Sequence, residues 1–224
     1  MLDRDGVWAR QHDKVHRVPF GEYVPLRHAL PWLSRLAPYD FDYSVEPGAE
    51  FTRFTLPGSV EATFGVMICY EDTDPAMARP YAAGRPVDFL LNISNDGWFD
   101  GTSEHDQHLA LCRFRAVETR RSVGRAVNMG VSAVIDSNGR VLAPELVSED
   151  ETIPVWEVPE DAGSLPTSRW HEFKKVAGVV IARMPIDERI SAYGQVGDVF
   201  AMGCGGLLVV GLAGTARRRR AEIT

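Results

Sequence analysis

The stretch that decides the fold is FGVMICYED, residues 64–72, in which a short apolar run ends in a cysteine, a tyrosine and two acids. Such runs are typical of buried strands, and the polar residues that follow mark where the chain leaves the sheet. A cysteine at this point is a useful nucleophile when helix-start amides or a nearby cation stabilise its thiolate. Cys69 is therefore a candidate catalytic residue, and the alternative is a small buried side chain, the commonest role of a free cysteine.

Strands alternate with helices on both sides of this stretch, which predicts an α/β fold. Helices are predicted at 75–83 and 104–121, the second with a capping-box pattern formed by Ser103 and Asp106. Residues 147–175 are acidic and contain prolines, and we expect them to form a surface excursion. The predicted strands are 7–10, 51–56, 64–68, 87–94, 124–129 and 131–136.

The composition excludes several classes of protein. A formal net charge of −7 argues against a nucleic-acid-binding protein, because such proteins neutralise phosphate with basic surface. The sequence has three widely spaced cysteines, Cys69, Cys112 and Cys204. Their odd number and wide spacing indicate neither a disulfide framework nor a zinc site. His105 and His108 have ligand-like spacing, but no third ligand is evident. We expect no metal and no cofactor.

The two ends of the chain are unusual. Residues 199–216 carry no charge and are followed by four arginines, which predicts a transmembrane helix and a cytoplasmic basic tail at 217–224. The alternative is a buried soluble helix. The charged residues 1–14 contain no signal peptide, and a turn at 3–6 followed by the strand at 7–10 suggests a chain that begins inside a sheet. We therefore interpret the catalytic domain as N-terminally incomplete.

The stretch DKVHRVPFGEYVPL, residues 13–26, contains Lys14, the candidate for a cation that would stabilise the thiolate. It combines Lys14 with Pro19, Gly21, Glu22 and Pro25, a density of special backbone residues that is unusual in a plain strand or helix. We interpret it as a loop that positions a functional group. The alternatives are that Lys14 is a charge protecting a strand edge and that Glu22 is a solvated loop acid.

Several motifs occur here in a fixed order. They are KVHRVPFGEYVP at 14–25, GVMICYE at 65–71, LLNISNDGWF at 90–99 and QHLALCRFRAVETRR at 107–121. Together they resemble the nitrilase superfamily, and within it the apolipoprotein N-acyltransferases of the bacterial inner membrane. The resemblance covers residues 2–141 and resumes at 184–201. It implies an α-β-β-α sandwich over residues 1–190, followed by the membrane helix.

The resemblance also implies roles for individual residues. Cys69 matches the nucleophile that carries the acyl chain as a thioester, and Lys14 matches the lysine that stabilises the thiolate and the oxyanion. Glu22 matches an additional glutamate that holds Lys14, while Tyr70 and Glu71 match residues that shape the oxyanion site and its loop. The general-base glutamate of the family lies upstream of the lysine, at a position that this sequence does not contain. We therefore expect this chain alone to be inactive.

The implied reaction moves a fatty acyl chain from a phospholipid to the α-amine of the N-terminal diacylglyceryl-cysteine of an apolipoprotein. Trp98, Phe99 and Trp32 are expected to form the substrate-binding lip through which the acyl chain enters, and the alternative is that these aromatic residues only pack within the fold. The expected partners are the phospholipid donor, the apolipoprotein and the membrane, with the catalytic domain on the periplasmic face of the inner membrane. The alternatives are a nitrilase-type amidase that acts on a small amide and a non-catalytic, membrane-anchored remnant.

Overall fold

The computed structural model describes residues 10–37, 41–56, 61–100, 102–148 and 153–221, with side chains up to residue 215. The predicted turn at 3–6, residues 7–9 of the predicted first strand and residues 222–224 of the predicted tail lie outside these ranges. The α/β fold predicted from the sequence is confirmed, and its sheets are mixed.

A five-stranded sheet contains the stretch at 64–72. Its three central strands run parallel and are flanked on each side by an antiparallel strand. Because parallel strands present their carboxyl ends at one edge, the residues after β2, β3 and β4 meet there. In spatial order the strands are β1 (Arg53–Leu56), β2 (Ala62–Ile68), β3 (Phe89–Asn95), β4 (Ser122–Asn128) and β5 (Ala133–Ile135).

Two helices cover one face of this sheet and form the main core with it. They are α1 (Pro75–Ala82) and α2 (Glu104–Thr119), and both begin where the sequence predicts. Gly65 in β2 permits close packing, since a Cβ atom there would lie 2.4 Å from Cδ1 of Tyr81. Further buried residues of this core are Met67, Leu90, Leu109, Cys112, Ala116 and Val123.

The predicted capping box at the start of α2 is wrong. Ser103 already has helical backbone angles, φ −77° and ψ 0°, and its side chain makes no capping hydrogen bond. Asp106 instead pairs with Lys174, whose Nζ lies 2.7 Å from Oδ1. The Asp106 carboxylate, which the local pattern assigns to the helix start, is thus paired with a residue that is distant in sequence.

The opposite face of the sheet holds a second cluster, in which the Phe54, Phe64 and Phe89 rings stack with centroids 5.1 and 5.4 Å apart. A second, three-stranded sheet follows, with β6 (Glu145–Ser148), β7 (Val155–Val158) and β8 (Val179–Ala182). The segment at 147–175, expected to be a surface excursion, is partly integrated into the fold, because Leu165 and Trp170 are buried in the main core.

The C-terminal part consists of a short helix, α3 (Ala192–Val196), and a long one, α4 (Val199–Ala221). The short helix docks on α1, where Gln195 Nε2 donates to the Ala82 carbonyl over 2.9 Å. Among the described residues, no helix combines the length and the apolar character that crossing a membrane requires. The predicted span at 199–216 is helical, but its membrane role stays a prediction.

Candidate active site

Cys69 lies on a strained turn at the carboxyl edge of the five-stranded sheet. It follows β2 directly and begins a 3-10 helix, Cys69–Thr73, with a left-handed φ of +54°. A left-handed backbone costs an ordinary L-residue about 1–2 kcal/mol, and such strain persists where the surrounding structure enforces it. The side chain is partly exposed and lines a cavity of about 230 Å³.

The cavity beside Cys69 is lined by the loop at 13–26, the turn that begins at Cys69, the end of β3 with the 3-10 helix Asp96–Phe99, and α2. Val18, Gly21 and Glu22 come from the loop at 13–26, and Tyr70 follows the cysteine. Asn95, Asp96, Trp98, Phe99, Glu104 and His108 complete the wall. Of the three aromatic residues predicted to bind substrate, Trp98 and Phe99 thus lie in this cavity. Trp32 does not line it and is exposed on the 3-10 helix Pro31–Leu36.

Lys14 forms an ion pair with Glu22, which lines the cavity, whereas Lys14 itself is not one of the lining residues. Lys14 Nζ donates to Oε1 of Glu22 over 2.7 Å, and the lysine side chain is only 9% exposed. The second oxygen of Glu22 accepts from the backbone N–H of Val18 over 2.8 Å. Glu22 therefore closes the loop and holds the ammonium group at the same time.

Glu71, expected to shape the oxyanion site, does not line the cavity and instead ties the loop to the sheet. Its buried carboxylate accepts backbone N–H groups from Val15 at 2.5 Å, His16 at 3.0 Å and Ile68 at 2.7 Å. Burial opposes the charged form, but these hydrogen bonds and the imidazole of His12, whose Nε2 lies 3.9 Å from Oε2, outweigh it and lower the pKa of Glu71. We call this arrangement the Glu71 clamp.

Behind the Cys69 turn lies a group of polar side chains that the sequence did not lead us to expect. We call it the buried charge cluster, and each member is at most 4% exposed. Arg125 is at its centre, with Nη1 2.8 Å from Asp72 and 2.6 Å from Asn92 Oδ1, and Nη2 2.8 Å from Asp96. The members of the cluster are Asp72, Asn92, Asp96, His108 and Arg125.

The charges of this cluster balance. His108 lies between two carboxylates, with Nε2 2.6 Å from Asp72 and Nδ1 3.0 Å from Asp96. Burial works against a charged imidazole, but the bonds to Asp72 and Asp96 raise the pKa of His108 to about 9. Burial likewise opposes ionisation of Asp96, yet His108 and Arg125 lower its pKa to about 2. Within the cluster two carboxylates thus face an imidazole and a guanidinium, and outside it Oε1 of Glu104 lies 3.4 Å from Nδ1 of His108.

The same geometry bears on metal binding. Ligand atoms of Asp96, Glu104 and His108 lie within 4.8 Å of one another, close enough to surround a cation. A metal ligand must offer a free lone pair on its imidazole nitrogen. Both nitrogens of His108 instead donate to carboxylates, so this histidine acts as a cation itself.

The signal that could have revealed the cluster is present in the sequence. Asn92 and Arg125 interrupt otherwise apolar strands, and charged residues are almost never fully buried unless they are paired. The register places Asn92 opposite both Met67 of β2 and Arg125 of β4. Polar residues inside consecutive buried strands therefore point to one shared network.

Comparison with known proteins shows the family to which this chain is similar. The family model described as carbon-nitrogen hydrolase matches residues 1–166. Apolipoprotein N-acyltransferase of Geobacter metallireducens is 33% identical over 204 residues, covering 90% of this chain and 33% of the relative. The protein of the same name from Bdellovibrio bacteriovorus is 37% identical over 142 residues, covering 63% and 25%. This chain thus spans about a third or less of the length of these curated relatives.

Among solved structures, a carbon-nitrogen hydrolase from Helicobacter pylori is 20% identical with a TM-score of 0.44, covering 63% of this chain and 49% of that chain. The family match extends over well more than half of the residues and includes the Cys69 turn, the loop with Lys14 and Glu22, and α2. The chain therefore belongs to the carbon-nitrogen hydrolase family.

Proposed function

We propose that this chain is part of an N-acyltransferase that carries a fatty acyl group on Cys69. The donor is a phospholipid, and the acceptor is the α-amine of the N-terminal diacylglyceryl-cysteine of an apolipoprotein. The name shared by the curated relatives supports this reading. The observation that carries it is the cavity beside Cys69, whose wall includes the exposed aromatic side chains of Tyr70, Trp98 and Phe99.

The chemistry of the cavity suits an acyl chain better than a small polar amide. Its accessible surface is mostly apolar, and exposed aromatic rings beside an opening mark a site that takes up an apolar group. In the first step the Cys69 sulfur attacks the ester carbonyl carbon of the phospholipid. The carbon–oxygen ester bond then breaks, the leaving alkoxide takes up a proton, and a thioester remains on the cysteine.

In the second step the acceptor amine attacks the thioester carbonyl. The amide bond forms, the carbon–sulfur bond breaks, and the proton lost by the amine goes to the general base. Lys14, held by Glu22, is the group that we assign to the negative oxygen of both tetrahedral intermediates. The resemblance assigns the general base to a glutamate upstream of Lys14, outside this sequence.

We further propose that residues 199–216 anchor the catalytic domain to the inner membrane, with Cys69 on the periplasmic side and the basic tail in the cytoplasm. Phe200, Leu207 and Val210 on α4 are 83%, 75% and 70% exposed, so they need an apolar environment. The arginines at 217–220 follow the positive-inside rule. Reporter fusions at Ile223 and Asn138 should report opposite compartments, and a single shared compartment would refute this anchoring.

The function is tested by incubating the chain, in detergent, with a phospholipid and a diacylated lipopeptide. In a version that also carries the general-base glutamate implied by the resemblance, the intact mass should show one acyl group on Cys69, and the lipopeptide amide should form. The Cys112→Ala variant is the matched control and should retain the label. Acylation of Cys112, or acylation that survives in Cys69→Ala, would contradict the assignment.

A further inference from the structure

The buried charge cluster is joined to the backbone of Cys69 by a short chain of hydrogen bonds. Asn92 Nδ2 donates to the carbonyl of Cys69 over 3.2 Å and to that of Met67 over 3.3 Å. Its Oδ1 accepts from Nη1 of Arg125 over 2.6 Å. The guanidinium of Arg125 therefore orients the side-chain amide of Asn92, and this amide holds the carbonyl of Cys69, the residue with the left-handed φ.

The cluster also holds the far end of the same turn. Asp72 lies three residues after Cys69 on the 3-10 helix, and its two oxygens bind His108 and Arg125. Asp96 and His108 line the cavity into which Cys69 opens. The turn is thus held through the Cys69 carbonyl and through Asp72, while the cluster reaches the space beside the thiol.

The charged and titratable groups around His108 lie on four parts of the chain. Asp72 lies on the 3-10 helix after β2, Asp96 on the one after β3, and Arg125 on β4. From α2 itself come Glu104, His105 and Cys112, of which Glu104 has a pKa raised by burial. In a dry interior an uncompensated charge acts strongly on a neighbouring ionisable group. Removing one charge should therefore change how readily the thiol ionises.

We propose that the buried charge cluster is a positioning device for Cys69, which holds the strained turn and, by its charge balance, keeps the thiol ready to ionise. The inference rests on the proposed function only in taking Cys69 as the nucleophile. Its test uses thiol alkylation, which requires neither phospholipid nor apolipoprotein. Failure of acyl transfer and failure of this inference are therefore distinguishable.

The test measures the rate of Cys69 alkylation by iodoacetamide as a function of pH, by peptide mass spectrometry on the full chain. His108→Gln leaves one excess negative charge behind the thiol. The midpoint of the pH profile should rise by about one unit, and the rate at neutral pH should fall about tenfold. The double variant His108→Gln with Asp96→Asn restores neutrality and should return the midpoint most of the way.

A second single variant separates charge from loosened packing. Asp96→Asn leaves one excess positive charge and should lower the midpoint, opposite in direction to His108→Gln. A merely structural role would move both single variants in the same direction. Glu118→Gln is the matched control, because Glu118 pairs with Arg115 on α2 outside the cluster, and it should leave the midpoint unchanged. An unmoved midpoint in His108→Gln, or shifts of one sign in both variants, would overturn the proposal.

Discussion

The two sides of Cys69 are built by different means. Behind it lies the buried charge cluster, among β2, β3, β4 and α2. The hydrogen bonds of these strands and this helix already occupy the backbone N–H and C=O groups. The polar side chains of the cluster therefore pair mainly with one another. In front of it, the described residues between 10 and 50 contain one short 3-10 helix and no strand. There, carboxylates accept backbone N–H groups. In this segment, carboxylate side chains thus accept hydrogen bonds from backbone N–H groups that a strand or helix would otherwise pair.

The largest effect is expected where the two sides are joined, at the Glu71 clamp. Glu71→Ala leaves three partly buried N–H groups without an acceptor and should lower the free energy of unfolding by about 3 to 5 kcal/mol. Urea unfolding of the full chain measures this change. Glu71→Gln keeps one acceptor oxygen and should lose about half as much. A loss below about 1 kcal/mol in Glu71→Ala would show that the clamp does not join the two sides.

A rise in pH should weaken the buried charge cluster behind Cys69 and not the loop in front of it. The pKa of His108 is raised from 6.5 to about 9, so its stabilisation is complete below 6.5 and is lost as the pH rises through 9. At roughly 1.4 kcal/mol per unit, the loss is about 3 kcal/mol. Urea midpoints between pH 6.5 and 9 should fall in the wild-type chain and fall much less in His108→Gln. Equal pH dependence in both would refute a charged His108.

The smallest effect is expected on the front side. The Lys14–Glu22 pair is partly exposed, with Glu22 27% accessible, and Gln at this position can still accept from Val18. Glu22→Gln should therefore lower the free energy of unfolding by about 1 kcal/mol. Glu172→Gln, in the exposed pair with Arg169, is the matched control and should show no measurable change. A loss in Glu22→Gln as large as that in Glu71→Ala would remove the contrast between the two sides.

The parts of the fold that follow from local pattern were predictable from the sequence. The five strands predicted between 51 and 136 and the two predicted helices agree with the structure to within two residues at each end, because buried strands and amphipathic helices show their periodicity locally. The second sheet was not predicted. β6 is exposed throughout and β7 only partly buried, so neither shows a clear apolar pattern.

The candidate site was predictable only where a motif spans neighbouring residues. Cys69, Tyr70 and the Lys14–Glu22 pair belong to two short motifs, whereas Asp72 meets Arg125 across 53 residues. Their contact depends on the register of β2, β3 and β4 and on the docking of α2. Three-dimensional pairing of this kind leaves only an indirect trace, namely polar residues inside apolar strands.

The left-handed backbone of Cys69 implies a conflict between stability and function. Glycine adopts this conformation without steric cost, so a chain selected for stability alone would favour glycine at position 69. The cysteine therefore occupies a place where another residue would make the protein more robust. Under the proposed function the thiol outweighs the strain of its backbone, and the rigid surroundings of the turn make that strain tolerable.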